Sequence, residues 1–276
     1  MFKVNGTVIE NVKFYGVDLD KIIVNGVIVF EKMSPQENIV TMKTLQNNIS
    51  LLVKTKDGSP CEVWNAENKI GVLNNNSSTA IPIPNKNEAV IIKGKDITTL
   101  LCPGNQLTSL NVQGLNSLQN LCCYENQLTS LNVQGLNSLR YLYCFKNQLT
   151  SLNAQGLNSL QYLYCFENQL TSLNAQGLNS LQYLYCYENQ LTSLNVQGLN
   201  SLQHLHCFKN QLTAQAFKEI FNNLLQTEKG KAFVYNDNDN NYKDFTRPSE
   251  MVEAFNGAKA RGWKFYKNYV SDSNLL

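Results

Sequence analysis

The chain has 276 residues, a net charge of +2 and 16% charged side chains, a balance with no electrostatic footprint for nucleic acid or an anionic membrane surface. No apolar run reaches the 18 or more residues that cross a bilayer, so no membrane insertion is expected. The opening Met1-Phe2-Lys3-Val4-Asn5-Gly6 has no basic region followed by an apolar stretch, which predicts no secretory signal and a cytoplasmic location unless the chain leaves by another route.

Residues 1–32 read as two β-hairpins in tandem. Lys3-Val4 leads through Asn5-Gly6 into a strand from Thr7 to Tyr15, broken at Gly16; Lys21 to Val24 leads through Asn25-Gly26 into Val27 to Phe30. Asn-Gly between alternating apolar residues favours a two-residue hairpin, because both turn positions tolerate positive φ. A module this small cannot bury a core of its own, so it is expected to pair with another copy or with the neighbouring domain. The opening resembles short N-terminal modules of phage virion and tail-associated proteins, which implies virion assembly or homo-oligomerisation through residues 1–32.

Residues 33–37 form a linker by their proline and polarity. From 38 to 96, short alternating runs (Ile49 to Lys54, Glu62 to Trp64, Ala80 to Pro84, Ala89 to Lys93) are separated by turn clusters such as Asp57-Gly58-Ser59-Pro60. Strands at that spacing predict a small β-sandwich, placed to close the first coil of a repeat region.

From residue 97 to 212 the chain repeats. The 21-residue word starting at Asn168 also starts at Asn105, Asn126, Asn147 and Asn189, with a truncated copy at Asn210. A fixed period of that length marks a solenoid. Within Leu118-x-x-Leu121-x-Cys123-x-x-Asn126-x-Leu128, the Leu-x-Cys alternation makes a short parallel strand with both side chains inward. The recurring Asn is suited to bonding the backbone of its own and neighbouring coils. Gly114, Gly135, Gly156, Gly177 and Gly198 permit the tight return on the convex side. A word this short has no room for a helix there, so irregular or 3₁₀ turns are expected.

These words resemble the leucine-rich repeats of the short bacterial kind found in internalins and Bacteroides surface proteins. The resemblance implies an α/β leucine-rich repeat solenoid with a parallel concave sheet. It also implies protein or glycan binding on that sheet and display at a bacterial cell surface.

Six cysteines (Cys102, Cys123, Cys144, Cys165, Cys186, Cys207) recur with the period. Stacked in register they would have parallel Cβ vectors, unsuited to a disulfide dihedral near 90°. They are expected as a reduced core ladder, with no cofactor and no metal.

Residues 213–276 read as an α/β C-terminal cap. Phe217, Ile220, Phe221, Leu224 and Leu225 form one helical stripe behind Thr213 as N-cap. A strand from Ala232 to Tyr235, a polar loop from Asn236 to Asn241, a helix from Ser249 to Arg261 closed by Gly262, and a strand from Trp263 to Tyr266 complete it. Asp237-x-Asp239-x-Asn241 begins like a calcium loop, but Tyr242 and Pro248 stand where glycine and glutamate are needed, so no calcium is expected.

The outward strand positions carry rings. They are Tyr141, Tyr162, Tyr183 and His204 in one row, Tyr143, Tyr164, Tyr185 and His206 in the next, and Tyr124, Phe145, Phe166, Tyr187 and Phe208 in a third. Half-exposed, they would form an apolar patch of roughly 1,000 Å², and they are the predicted ligand-binding residues. A ring ladder also stabilises a sheet by about 0.2–1 kcal/mol per pair. The charged row Glu125, Lys146, Glu167, Glu188 and Lys209 reads as a solvated edge, with the Glu167–Glu188 pair a remote glycosidase alternative. No enzymatic activity is expected. The predicted function is recognition or adhesion through the concave face, carried on a virion. A cell-surface adhesin or a purely structural spacer are the alternatives.

Overall fold

The computed structural model describes residues 37–75, 77–267 and 275–276, together with the strands between residues 2 and 31. It has two compact units, Met1–Glu37 and Asn38–Leu276.

In the first unit three antiparallel pairs follow one another. They are β1 (Phe2–Val4) with β2 (Thr7–Ile9), β3 (Lys13–Phe14) with β4 (Val17–Asp18), and β5 (Lys21–Val24) with β6 (Val27–Glu31). The strand predicted from Thr7 to Tyr15 is therefore two short strands with different partners. The turns at Asn5-Gly6 and Asn25-Gly26 lie outside the described residues.

The second unit is a leucine-rich repeat solenoid. Its concave sheet has ten strands. The central six are parallel: β13 (Ile97–Leu101), β15 (Asn120–Cys122), β16 (Tyr141–Tyr143), β18 (Tyr162–Tyr164), β20 (Tyr183–Tyr185) and β21 (His204–His206). Each rung pairs with the residue 21 positions on, as Leu121 with Leu142 and Leu142 with Leu163. That register places the leucines and the six cysteines at 0% exposure. The cysteines are free, and burial pushes the thiols of Cys144 and Cys186 up to about 12.

The recurring asparagine ties the coils together. Asn147 Nδ2 donates to the carbonyls of Cys123 at 2.9 Å, Cys144 at 3.1 Å and Phe145 at 3.3 Å, while its Oδ1 accepts from Leu128 N–H at 3.0 Å. Asn126, Asn168, Asn189 and Asn210 repeat this pattern. Successive rungs share acceptors: Cys123 O takes Asn126 and Asn147, and Cys144 O takes Asn147 and Asn168. Backbone groups that leave the strands unpaired are thus satisfied inside the core.

On the convex side the glycines sit at φ between 75° and 86°, a left-handed conformation that other residues adopt only with strain. This surface is not all turns. β17 (Ser151–Asn153) and β19 (Ser172–Asn174) pair in parallel, because Ser-Leu-Asn in consecutive coils is extended and in register.

Both ends continue the concave sheet. At the N-terminal end β8 (Asn48–Thr55) pairs antiparallel with β13, and β7 (Glu37–Thr44) pairs antiparallel with β14 (Leu107–Asn111). The first rung, Asn105, is satisfied by Ser50, whose N–H donates to its Oδ1 at 2.7 Å and whose carbonyl accepts from its Nδ2 at 2.8 Å. Strands β9 (Cys61–Asn65), β10 (Asn68–Leu73) and β12 (Val90–Lys95) join β7 and β14 in a second sheet, and β11 (Thr79–Pro82) flanks β8.

At the C-terminal end β22 (Lys231–Tyr235) and β23 (Lys264–Lys267) extend the parallel ladder. Helix α1 (Ala214–Asn223) is capped by Thr213, whose Oγ1 accepts from Ala216 N–H at 3.1 Å. The helix ends before Leu225, which is 48% exposed and so falls outside the predicted stripe. Helix α2 (Ser249–Ala260) follows. Arg261 and Trp263 hold the end of α1 through the carbonyls of Phe221, Leu224 and Leu225.

Asn241 is a further rung that the sequence period does not reveal. Its Oδ1 accepts from Leu212 N–H at 2.9 Å, and its Nδ2 donates to Cys207 O at 2.9 Å and Val234 O at 2.7 Å. Asp239 is equally committed. Its carboxylate accepts from the N–H groups of Lys209, Asn236 and Asn241 at 2.7, 2.7 and 3.1 Å. The Asp237–Asn241 segment therefore closes the solenoid.

Candidate binding face

Period-two alternation on each concave strand sends leucine inward and the flanking residues outward. Because the coils are in register, the outward rings stack in rows across the strands. In the first row the centroids of Tyr141 and Tyr162 are 5.0 Å apart, those of Tyr162 and Tyr183 4.6 Å, and those of Tyr183 and His204 4.6 Å. The second row runs Tyr143, Tyr164, Tyr185 and His206 at 4.9, 4.4 and 3.9 Å. The third, Tyr124, Phe145, Phe166, Tyr187 and Phe208, keeps 4.4 to 4.5 Å throughout.

Eleven of the thirteen predicted rings are half-buried and none is fully exposed. Stacking covers their faces and leaves mainly edges to solvent, so the apolar area is smaller than half-exposed rings would give. Two predicted residues do not belong to an open face. His206 is 3% and Phe208 4% exposed. Phe233 on β22 lies 4.3 Å from His206, and Phe208 precedes the residue that Asp239 caps.

Burial shapes the electrostatics. It pushes Tyr143 up to about 12, with Tyr164 adding to the effect, and it raises Tyr162. It lowers His204, aided by the Lys231 charge, and it lowers His206 to about 3, aided by His204. Cys122, the half-buried cysteine of the second row, is raised to about 11 by burial.

Among the described residues, the hydroxyls of Tyr141, Tyr162 and Tyr183 make no hydrogen bond to the protein. They stand in a row one strand spacing, about 4.8 Å, apart.

The caps lengthen this row beyond the repeats. Strand pairing aligns Lys54, Thr99 and Asn120 before Tyr141, and Lys231 and Lys264 after His204. Asn120 belongs to the periodic series and is readable from spacing. Lys231 and Lys264 were missed because the repeat ends at Asn210; inward Ala232 and Phe265, matching the core leucines, are the signal that would have found them. Lys54 joins the row only through the antiparallel pairing of β8 with β13.

The edge row is paired across coils. Lys146 Nζ meets Glu125 at 3.0 Å and Lys209 Nζ meets Glu188 at 2.5 Å. All five of its residues hold a left-handed backbone, with φ from 49° to 55°.

A hollow of about 370 Å³ opens on the concave side where the rings give way to the N-terminal cap. Lys54, Thr99, Asn120, Cys122, Tyr141 and Tyr143 are among its walls. No helix among the described residues is long and apolar enough to cross a membrane.

No family model matches the chain, and no curated protein matches it. Among solved structures it is similar to the functional domain of InlJ from Listeria monocytogenes, which includes a cysteine ladder, at 29% identity and a TM-score of 0.46. The similarity covers 54% of this chain and 32% of that one, so the chain spans about a third of its length.

Proposed function

We propose that this protein is a non-enzymatic recognition module that binds a macromolecular partner on its concave face. The observation that carries this reading is the line of uncommitted hydroxyls on Tyr141, Tyr162 and Tyr183. A ladder needed only for stability gains nothing from them, as the Phe145–Phe166 stack at 4.4 Å illustrates. Tyrosine combines rigid apolar area with a hydrogen-bonding tip at low entropic cost. The resemblance of residues 1–32 to phage tail-associated modules favours display on a virion, and mass spectrometry of purified particles tests that placement.

The binding test uses fluorescently labelled protein on bacterial cells and on a glycan array. The triple variant Tyr141→Phe, Tyr162→Phe, Tyr183→Phe keeps the stack and deletes the hydroxyls, and it should lose binding while unfolding at the parent temperature. A folded triple variant that binds like the parent overturns the reading.

A further inference from the structure

We infer that the concave sheet takes an acidic oligosaccharide, laid across the strands along the Tyr141–Tyr162–Tyr183 row; this rests on the recognition reading above. Charge is the first ground. Lys54, Lys231 and Lys264 stand in that row and Arg140 immediately precedes it, all four exposed. None forms an ion pair among the described residues. On the opposite edge of the face, by contrast, both lysines are paired, Lys146 with Glu125 and Lys209 with Glu188, and Glu167 is left over among the described residues. One side of the sheet therefore presents cations with no acidic partner, which favours an anion.

The make-up of the row is the second ground. Successive coils present the same tyrosine at each step of about 4.8 Å, and the distance from Lys54 to Lys264 is roughly 38 Å. A ligand laid along it meets hydroxyl-tipped rings in the middle and cations at both ends. An oligosaccharide offers hydroxyls to the tyrosine tips and apolar ring faces to the aromatic side chains, and acid groups on it pair with the lysines at the ends.

The hollow of about 370 Å³ is the third ground. Tyr141 and Tyr143 end their rows there, with no ring among the described residues stacked on the side facing Asn120 and Cys122. A sugar ring seated against those faces would have Lys54, Thr99 and Asn120 around it.

Calorimetry on the full chain tests this with four probes: oligogalacturonate, a sulfated dextran oligomer, methyl-esterified oligogalacturonate and polyglutamate. At least one acidic sugar should bind. Methyl esterification should weaken the galacturonate form at least tenfold, and so should the variant Lys54→Gln, Lys231→Gln, Lys264→Gln. Lys43→Gln, at an exposed cation on β7 in the second sheet, should leave binding unchanged. Equal binding of the methyl ester, equal binding of polyglutamate, or no binding of either acidic sugar overturns the inference. If no acidic sugar binds while the tyrosine-to-phenylalanine variant still loses cell binding, recognition stands and the ligand class falls. If that variant keeps cell binding, both fall.

Discussion

Replacing Asn147 by alanine tests the idea that the asparagine ladder joins the coils. Four hydrogen bonds disappear, but they are not equivalent. Cys123 O keeps Asn126 and Cys144 O keeps Asn168. Phe145 O keeps the Glu125 N–H at 3.1 Å. Only the Leu128 N–H, whose partner is Asn147 Oδ1, loses its acceptor. One orphaned buried donor costs about 1–3 kcal/mol, and the weakened carbonyl bonds add about 1 kcal/mol, so Asn147→Ala should cost about 3 kcal/mol in urea unfolding at an unchanged m-value. The pair Asn126→Ala with Asn147→Ala strips Cys123 O of both donors. It should therefore exceed the sum of the single costs by about 1–2 kcal/mol. A single cost below about 1 kcal/mol, or strict additivity of the pair, would refute the shared-acceptor ladder.

Other outcomes rest on the same geometry. His206 has its pKa lowered to about 3 by burial and then by His204, so the unfolded chain binds the extra proton first as pH falls below about 6.5. Stability from this group is complete above that pH and is lost towards pH 3, by about 2 kcal/mol at pH 5. His206→Tyr, matching the rest of its row, should flatten that part of the stability–pH curve, and an unchanged curve would contradict the burial. Ellman's reagent at pH 8 should modify native protein slowly and only at Cys122, with all eight thiols reacting in denaturant. Rapid native reaction of several thiols would be inconsistent with the buried ladder, and Cys122→Ser should abolish the slow phase. Glu167 sits at φ 50°, where asparagine is better tolerated. Glu167→Asn should raise stability by about 0.5–1 kcal/mol, and a loss in thermal unfolding would show that the side chain matters more than its backbone.

The repeat itself was legible because its letters answer to local rules. Leu121 and Cys123 alternate as strand residues, Asn126 follows at the strand exit, and Gly135 marks a turn with φ 82°. What escaped depends on distant partners. Asn241 lies outside the period and looked like part of a polar loop, yet it makes the same two-sided bonds as Asn210. His206 and Phe208 follow the row pattern, but the burial of the last coil comes from a cap that folds back from later in the chain. The left-handed backbone of the edge row has no sequence mark, because Glu and Lys carry none of the usual preference of glycine or asparagine. In the concave face, the tyrosine rows were readable from spacing, whereas the lysines that continue them required strand pairing between repeat and cap.

Each asparagine rung reaches back to the coil before it, and both caps offer that same bond: Ser50 receives the first rung and Asn241 supplies the last. Removing or inserting one 21-residue unit between them would leave every joint chemically unchanged. The words from Asn147 to Glu167 and from Asn168 to Glu188 differ at one position, Phe166 against Tyr187. Such near-copies are the substrate that homologous recombination needs for unequal exchange. The molecule can therefore be lengthened or shortened by whole coils, each adding one tyrosine step to the face, so its reach is adjustable in increments of about 4.8 Å without any redesign of its ends.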